Sequence, residues 1–318
     1  MIGDGEDVNR RDHVGRTPLH VAIISNSVGC ANILIDAGAR MSARLVGGRT
    51  SFHLATQNGQ TSLVKKMLAR SAYNEAKAAE EKLKAEEAEE SPEVTERIRM
   101  SSEDDWSSES EDGKSPQKAP VKSDTEKDFD PLEDDKETPD ILDISSHDWD
   151  FGLTPLGFAI LSGSLELVDV LLIAGADPNH AARAKDADPL HPLTWTIYTE
   201  DEERAVKIAE RLVAARAISS TADKNLFTIF HRMVVAGKTK IVMSLLNCDP
   251  NAKKVLDFPA WIEQELVFPP VSSILSGDYA TLSVLLAHGA KLVYSPEDAS
   301  RAERAKFVQL CLLPVMLC

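Results

Sequence analysis

The chain has 318 residues, 51 acidic and 35 basic, for a formal charge of −16, with 43% hydrophobic and 5% aromatic residues. That composition fits a folded chain of about two domains' length built on small apolar side chains. It argues against a sequence-independent grip on nucleic acid or on an anionic membrane, because both depend on basic patches. The charge is also concentrated: residues 72–150 hold 27 acids and 10 bases, net −17, so the rest of the chain carries +1.

In chain order, residues 1–11 are polar and acidic and lack the apolar run of a secretory signal. Gly5-Glu6-Asp7-Val8-Asn9 has the form of a turn that closes a helical repeat, with no helices ahead of it, so the chain is expected to be a shortened piece of a longer array. In Thr17-Pro18-Leu19-His20 the Thr can cap a helix, Pro fits the first turn because its missing N–H would be unpaired there, and Leu19 begins an apolar face. A second helix through Ile33-Leu34-Ile35 ends at Gly38-Ala39. The plan recurs 33 residues later as Thr50-Ser51-Phe52-His53, and each Thr has a Gly two positions before it, Gly15 and Gly48. The third copy, Gly152-Leu153-Thr154-Pro155-Leu156, follows after one further period plus an insertion of 71 residues. There Phe158, Ala159 and Ile160 lead to Gly163, Leu165 to Leu172 supply a second apolar helix, and Gly175 provides the positive-φ stop.

This punctuation, Gly-x-Thr-Pro-Leu-His, a helix, a break, a second helix and Gly-Ala-Asp-x-Asn at a period of 33, resembles the ankyrin repeat. The resemblance implies an all-α ankyrin-repeat solenoid of helix-turn-helix units with hairpin-like turns. Three further units are more divergent, opening at His191-Pro192-Leu193, Thr228-Ile229-Phe230-His231 and Phe268-Pro269-Pro270. The implied organisation is repeats 1–2 in residues 1–71, an acidic insertion in 72–150, repeats 3–6 in 151–294, and a C-terminal helix with an apolar tail in 295–318. His20, His53 and His231 recur at one position, which in ankyrin units is a structural hydrogen-bonding residue.

The insertion opens as helix. Residues 74–90 are almost entirely Ala, Glu, Lys and Leu, and are expected to prolong the second helix of repeat 2. From Ser91 to residue 144, Pro, Ser, Asp and Glu dominate and apolar residues are sparse, which predicts disorder. Ser102 and Ser108 each have an acid three positions on and resemble acid-directed kinase sites, while Ser91, Ser115 and Thr138 precede Pro. Each phosphate would add about −1.5 to −2 charges to a field already negative. The alternative is a plain solvated linker.

No Gly-rich phosphate loop, Gly-x-Ser-x-Gly elbow or His-Glu-x-x-His pair occurs, so no catalytic, cofactor or metal residues are expected. Cys30, Cys248, Cys311 and Cys318 have neither paired nor zinc-ligand spacing, which points to a reducing compartment, cytoplasmic or nuclear. Cys30 and Cys248 are expected to be buried as small apolar residues. No apolar run reaches the roughly 20 residues that span a bilayer.

Resemblance to ankyrin repeats places the candidate partner contacts on finger tips and first-helix ends: Arg16, Ile24, Arg49, Gln57, Trp149, Phe151 and Leu161. Trp149 and Phe151 stand out as an aromatic pair, read either as a binding hot spot or as a cover over the point where the insertion leaves the array. The function expected is a non-enzymatic scaffold or adaptor that binds a protein partner, without direct contact to nucleic acid or membrane. A second reading makes these repeats part of a larger enzyme or regulator whose active region lies outside this chain.

Overall fold

A computed structural model of the chain describes residues 7–89, 139–182, 190–262 and 265–292. The helices come in pairs: α1 (Pro18–Ile24) with α2 (Val28–Asp36), α3 (Ser51–Gln57) with α4 (Thr61–Glu89), and α5 (Pro155–Leu161) with α6 (Leu165–Ile173). In the fourth unit α7 (Pro192–Trp195) runs into a 3₁₀ turn, Thr196–Tyr198, before α8 (Glu202–Ala214). The fifth pairs α9 (Ile229–Val235) with α10 (Thr239–Cys248), followed by the short α11 (Pro250–Lys254). The sixth pairs α12 (Pro269–Leu275) with α13 (Tyr279–Ala287) behind an antiparallel hairpin, β1 (Ala260–Ile262) and β2 (Glu265–Val267).

The repeated Thr explains where the first helices begin. Thr17, Thr50, Thr154 and Thr228 all sit in extended backbone, and each hydroxyl accepts the N–H of the residue three positions on, satisfying a donor the helix cannot pair internally. The turn between paired helices needs a left-handed residue. Gly59 and Gly163 supply it at φ 68° each, and Asn26 does so at φ 54° in the first repeat.

The units stack in two layers, α1-α3-α5-α7-α9-α12 on one side and α2-α4-α6-α8-α10-α13 on the other. Between them runs one continuous core in which Leu19, Phe52, Leu63, Leu156, Leu167, Phe230 and Leu245 are wholly or almost wholly buried. Each repeat covers its neighbour's apolar face, so stability is a chain of nearest-neighbour contacts. Closing turns are laced across the period as well: Asn9 Oδ1 accepts the Arg40 N–H at 2.7 Å, Asn179 Oδ1 the Ile218 N–H at 2.9 Å, and Asp257 the Lys291 N–H at 2.9 Å.

The structure moves one boundary. The insertion leaves as expected, since α4 runs unbroken from a buried start at Leu63, Val64 and Met67 out to Glu89. Residues 139–150, however, assigned from composition to the acidic segment and through 144 to disorder, pack on the second repeat. The Asp140 carboxylate accepts the N–H groups of Met41 and Ser42 at 2.8 and 3.0 Å, Leu142 is buried, and its N–H donates to Ser71 at 2.8 Å. Acidity misled here because these carboxylates are hydrogen-bond acceptors for backbone, not solvated charges. Ser91, Ser102, Ser108, Ser115 and Thr138 lie outside the described residues, as do the expected C-terminal helix and apolar tail.

The cysteine expectation is also corrected, for both Cys30 and Cys248 are exposed. In α2 the core positions are Ala31 and Ile35, which turns Cys30 away from the second repeat; Cys248 ends α10 beyond its last buried residue, Leu246.

A deletion test follows from the moved boundary. Replacing residues 90–138 by a short Gly/Ser linker should leave the thermal midpoint of the array nearly unchanged. Extending the deletion through residue 148 removes the Asp140 cap, buried Leu142 and Asp148, and should lower that midpoint by about 10 °C. Equal midpoints by differential scanning calorimetry would show that residues 139–148 add nothing to the fold.

Candidate interaction surface

The surface is built on three histidines that lock fingers to first helices. In each case Nδ1 faces the capping Thr hydroxyl, at 2.8 Å for His20, 2.9 Å for His53 and 2.7 Å for His231. It also accepts the backbone N–H of the same Thr. A ring nitrogen that accepts from a backbone N–H carries no proton, so Nε2 holds it and donates to a carbonyl across the finger: Ala43 at 3.1 Å, Ser146 at 3.0 Å and Phe258 at 2.7 Å. Burial, which penalises the charged ring, pushes both His53 and His231 down to a pKa of about 4. These are the structural hydrogen-bonding roles that the ankyrin resemblance implied. The third unit has Gly157 at the equivalent place and keeps only the Thr154 cap.

Between the second and third fingers lies the densest set of the predicted contact residues. Arg49 points its guanidinium at Asp148 (3.5 Å) and Asp150 (3.6 Å), and its Nη1 donates to Gln57 Oε1 at 3.5 Å. The same guanidinium lies 5.8 Å from the Phe151 ring centroid and 5.4 Å from that of Phe158. Trp149 sits against Gly48, where an added Cβ would come within 2.4 Å of the indole, and φ is +73°. Its ring takes the Arg44 guanidinium at 5.8 Å, and the Trp149 backbone N–H donates to the Gly47 carbonyl at 2.9 Å. Trp149 and Phe151 nevertheless remain 47% and 57% exposed.

The structure thus brings Arg49, Gln57, Trp149 and Phe151 together and leaves the other three candidates apart. Arg16 is held by Asp12 at 2.8 Å on the first finger, Ile24 is exposed at the end of α1, and Leu161 is half-buried against Leu153, Phe158 and Ala182. Sequence reasoning passed over two residues that shape the patch. Asp148 is 2% exposed and accepts the Leu153 N–H at 2.6 Å. Arg44 bonds the His147 carbonyl at 3.2 Å, as Arg11 bonds the Arg44 carbonyl at 2.7 Å. The period of 33 between Arg11 and Arg44 was the available signal; Asp148 was obscured because its finger carries one residue more than the first.

A family model described as ankyrin repeats in three copies matches residues 1–78, and a single-repeat ankyrin model matches 151–180. Both segments are ankyrin repeats. Curated relatives include Inversin of Gallus gallus, 38% identical over 70 residues, covering 22% of this chain and 6% of that one. NF-kappa-B inhibitor alpha of Mus musculus is 39% identical over 57 residues, 18% of each chain. The ankyrin match therefore spans only a small part of these relatives' length. Among solved structures, the human ASB11 ankyrin repeat domain aligns with TM-score 0.53 at 15% identity over 92% of this chain and 97% of that one. The ankyrin repeat domain of Bcl-3 aligns with TM-score 0.53 at 17% identity, covering 89% and 87%. Among the described residues no helix is long and apolar enough to cross a membrane.

Proposed function

We propose that this chain is a non-enzymatic scaffold or adaptor and that it binds a protein partner through the aromatic patch on its second and third ankyrin fingers. The observation that carries this reading is the pair Trp149 and Phe151, packed against Gly48, Arg44 and Arg49 while each residue stays about half exposed. Aromatic side chains fixed in advance lose little freedom on binding, which makes them efficient anchors. Ankyrin repeats are interaction modules in general, and the free thiols Cys30 and Cys248 suit an intracellular setting.

The test compares the full chain with a Trp149→Ala/Phe151→Ala double variant in quantitative affinity capture, followed by binding measurements on the proteins lost. Affinity should fall at least 30-fold, about 2 kcal/mol, with the melting temperature kept within about 2 °C. Unchanged binding with a large fall in melting temperature would assign the pair to covering the break in the array.

The acidic arm is the second element of the proposal. Residues 139–148 run directly from it into the Trp149 finger, so its charge, and any phosphate on Ser102, Ser108 or Ser115, is joined through the chain to the strand that ends at the patch. Replacing residues 90–138 by a neutral linker should change partner affinity several-fold at low salt and less at high salt. An equal affinity at both ionic strengths would remove the arm from the binding function.

A further inference from the structure

The row of contacts that joins one finger to the next changes its chemistry at the third finger. Arg11 donates to the Gly15 carbonyl of its own finger at 2.8 Å and to the Arg44 carbonyl of the next at 2.7 Å. Arg44 repeats both bonds, to Gly48 at 2.7 Å and to His147 at 3.2 Å. His147 holds the same place in the third finger, where an imidazole stands in for the guanidinium. Its Nε2 meets the Nε2 of His180 on the fourth finger, 33 residues on, at 2.9 Å. The ring centroids are 4.6 Å apart and the planes tilted by 40°, so the rings approach through their nitrogens and are not stacked.

Two imidazole nitrogens at this distance have two uses. With one proton between them they form a hydrogen bond, donor on one ring and acceptor on the other. With both Nε2 lone pairs given to one ion they form half of a metal site, because metal–nitrogen bonds of about 2.1 Å at a right angle set the two nitrogens about 3.0 Å apart. The second use asks only that the donor ring move its proton to Nδ1, which leaves both rings neutral. The backbone on each side is already fixed. Beside His180, Asn179 Oδ1 accepts the Ile218 N–H at 2.9 Å and its Nδ2 donates to the Arg216 carbonyl at 3.0 Å. Beside His147, the Ser146 carbonyl accepts from His53 at 3.0 Å and the Asp148 N–H donates to the Leu153 carbonyl at 3.0 Å. Ligands held on fixed backbone keep their geometry when an ion arrives. Both histidines are half-buried, and among the described residues no third His, Cys, Asp or Glu joins them, so water fills the remaining positions on the ion. The Arg44 guanidinium at the His147 carbonyl opposes a cation and sets the affinity below that of a closed four-ligand site.

We propose that His147 and His180 chelate one divalent transition ion of the class that favours imidazole, Zn²⁺, Ni²⁺ or Cu²⁺, and that the ion ties the third finger to the fourth. Mg²⁺ and Ca²⁺ find no oxygen ligands in this pair. The site does not rest on the reading of Trp149 and Phe151 as a partner anchor.

Isothermal titration of the full chain with Zn²⁺, and separately with Cu²⁺, tests this. Each ion should fill one site, and Mg²⁺ should give no binding heat. His147→Ala and His180→Ala should each weaken Zn²⁺ binding at least about tenfold, since even residues that only support a ligand are worth that much. Melting curves in EDTA check that both variants fold. A second reading needs no variant: in the wild type, Zn²⁺ should shift the imidazole NMR signals of His147 and His180 and leave those of the other histidines in place. A wild type that takes up neither Zn²⁺ nor Cu²⁺ overturns the proposal, because the two rings then share only a proton. So does Zn²⁺ binding that survives either substitution, or that shifts other histidines instead, since the ion then sits elsewhere on the surface.

Discussion

Acidification from pH 7 to pH 5 is expected to remove roughly 4 kcal/mol of stability from the repeat array, about 2 kcal/mol from each of His53 and His231. Both rings have folded-state pKa values of about 4 against an unfolded value of 6.5. The unfolded chain therefore takes up protons first as pH falls. The contribution is complete above about pH 6.5, declines through the window between 6.5 and 4, and has nothing further to lose below the folded value. The structural cause is burial, reinforced by the tautomer: Nδ1 already accepts a backbone N–H from Thr50 or Thr228, so a proton there would set two donors against each other. Urea titrations at several pH values between 7.5 and 5 measure the slope. His231→Gln should be less stable at neutral pH yet lose less on acidification than the wild type. A wild-type midpoint that does not move between pH 7 and 5 would contradict the assignment.

The second large effect is expected from Asp148→Ala, about 3 kcal/mol of destabilisation. The carboxylate is almost fully buried and accepts the N–H of Leu153 at 2.6 Å and of Phe151 at 3.4 Å, while facing Arg49 at 3.5 Å. Removing it strands backbone donors at about 1–3 kcal/mol each and leaves a guanidinium short of its counter-charge. Arg49 still has Asp150 and some access to water, which keeps the total at the lower end of the range for broken buried pairs. Asp148→Asn retains an acceptor for Leu153 and should cost about half as much. Chemical denaturation of the three proteins decides the matter, and a loss below about 1 kcal/mol for the Ala variant would show that the third finger does not depend on this side chain.

The architecture could be read from the sequence because its signals are local. A Thr that caps, a Pro or small residue after it, and a left-handed Gly are chemical requirements of single turns, and their recurrence at 33 residues marked the units before any contact was known. The finger patch was only partly legible. Trp149 and Phe151 announced themselves as large aromatics, but the groups that hold them, Asp148, Arg44 and Gly48, act across fingers that an insertion separates in the chain. Composition hid residues 139–150 for the same reason: Asp140, Asp143 and Asp148 count as charge in a tally and serve as caps in the fold. Cys30 was misjudged because its position is a core position in the units that follow, whereas in α2 the residues turned to the core are Ala31 and Ile35.

One consequence of α4 concerns where the acidic segment's two ends lie. At its base the Asn74 amide donates to the Asp140 carbonyl at 2.8 Å, so residue 139 rejoins the array there. The helix then runs fifteen residues further to Glu89, about 22 Å at 1.5 Å per residue, and residue 90 departs from its tip. The helix is a strut, and the loop it carries has a near end and a far end. With a screening length of about 8 Å at physiological salt, a charge fixed at the tip is electrostatically out of reach of the base. A phosphate on Thr138 and one on Ser91 would therefore be read differently, the first next in the chain to residue 139 at the base and the second next to the tip, where only whatever approaches the strut from solvent meets it.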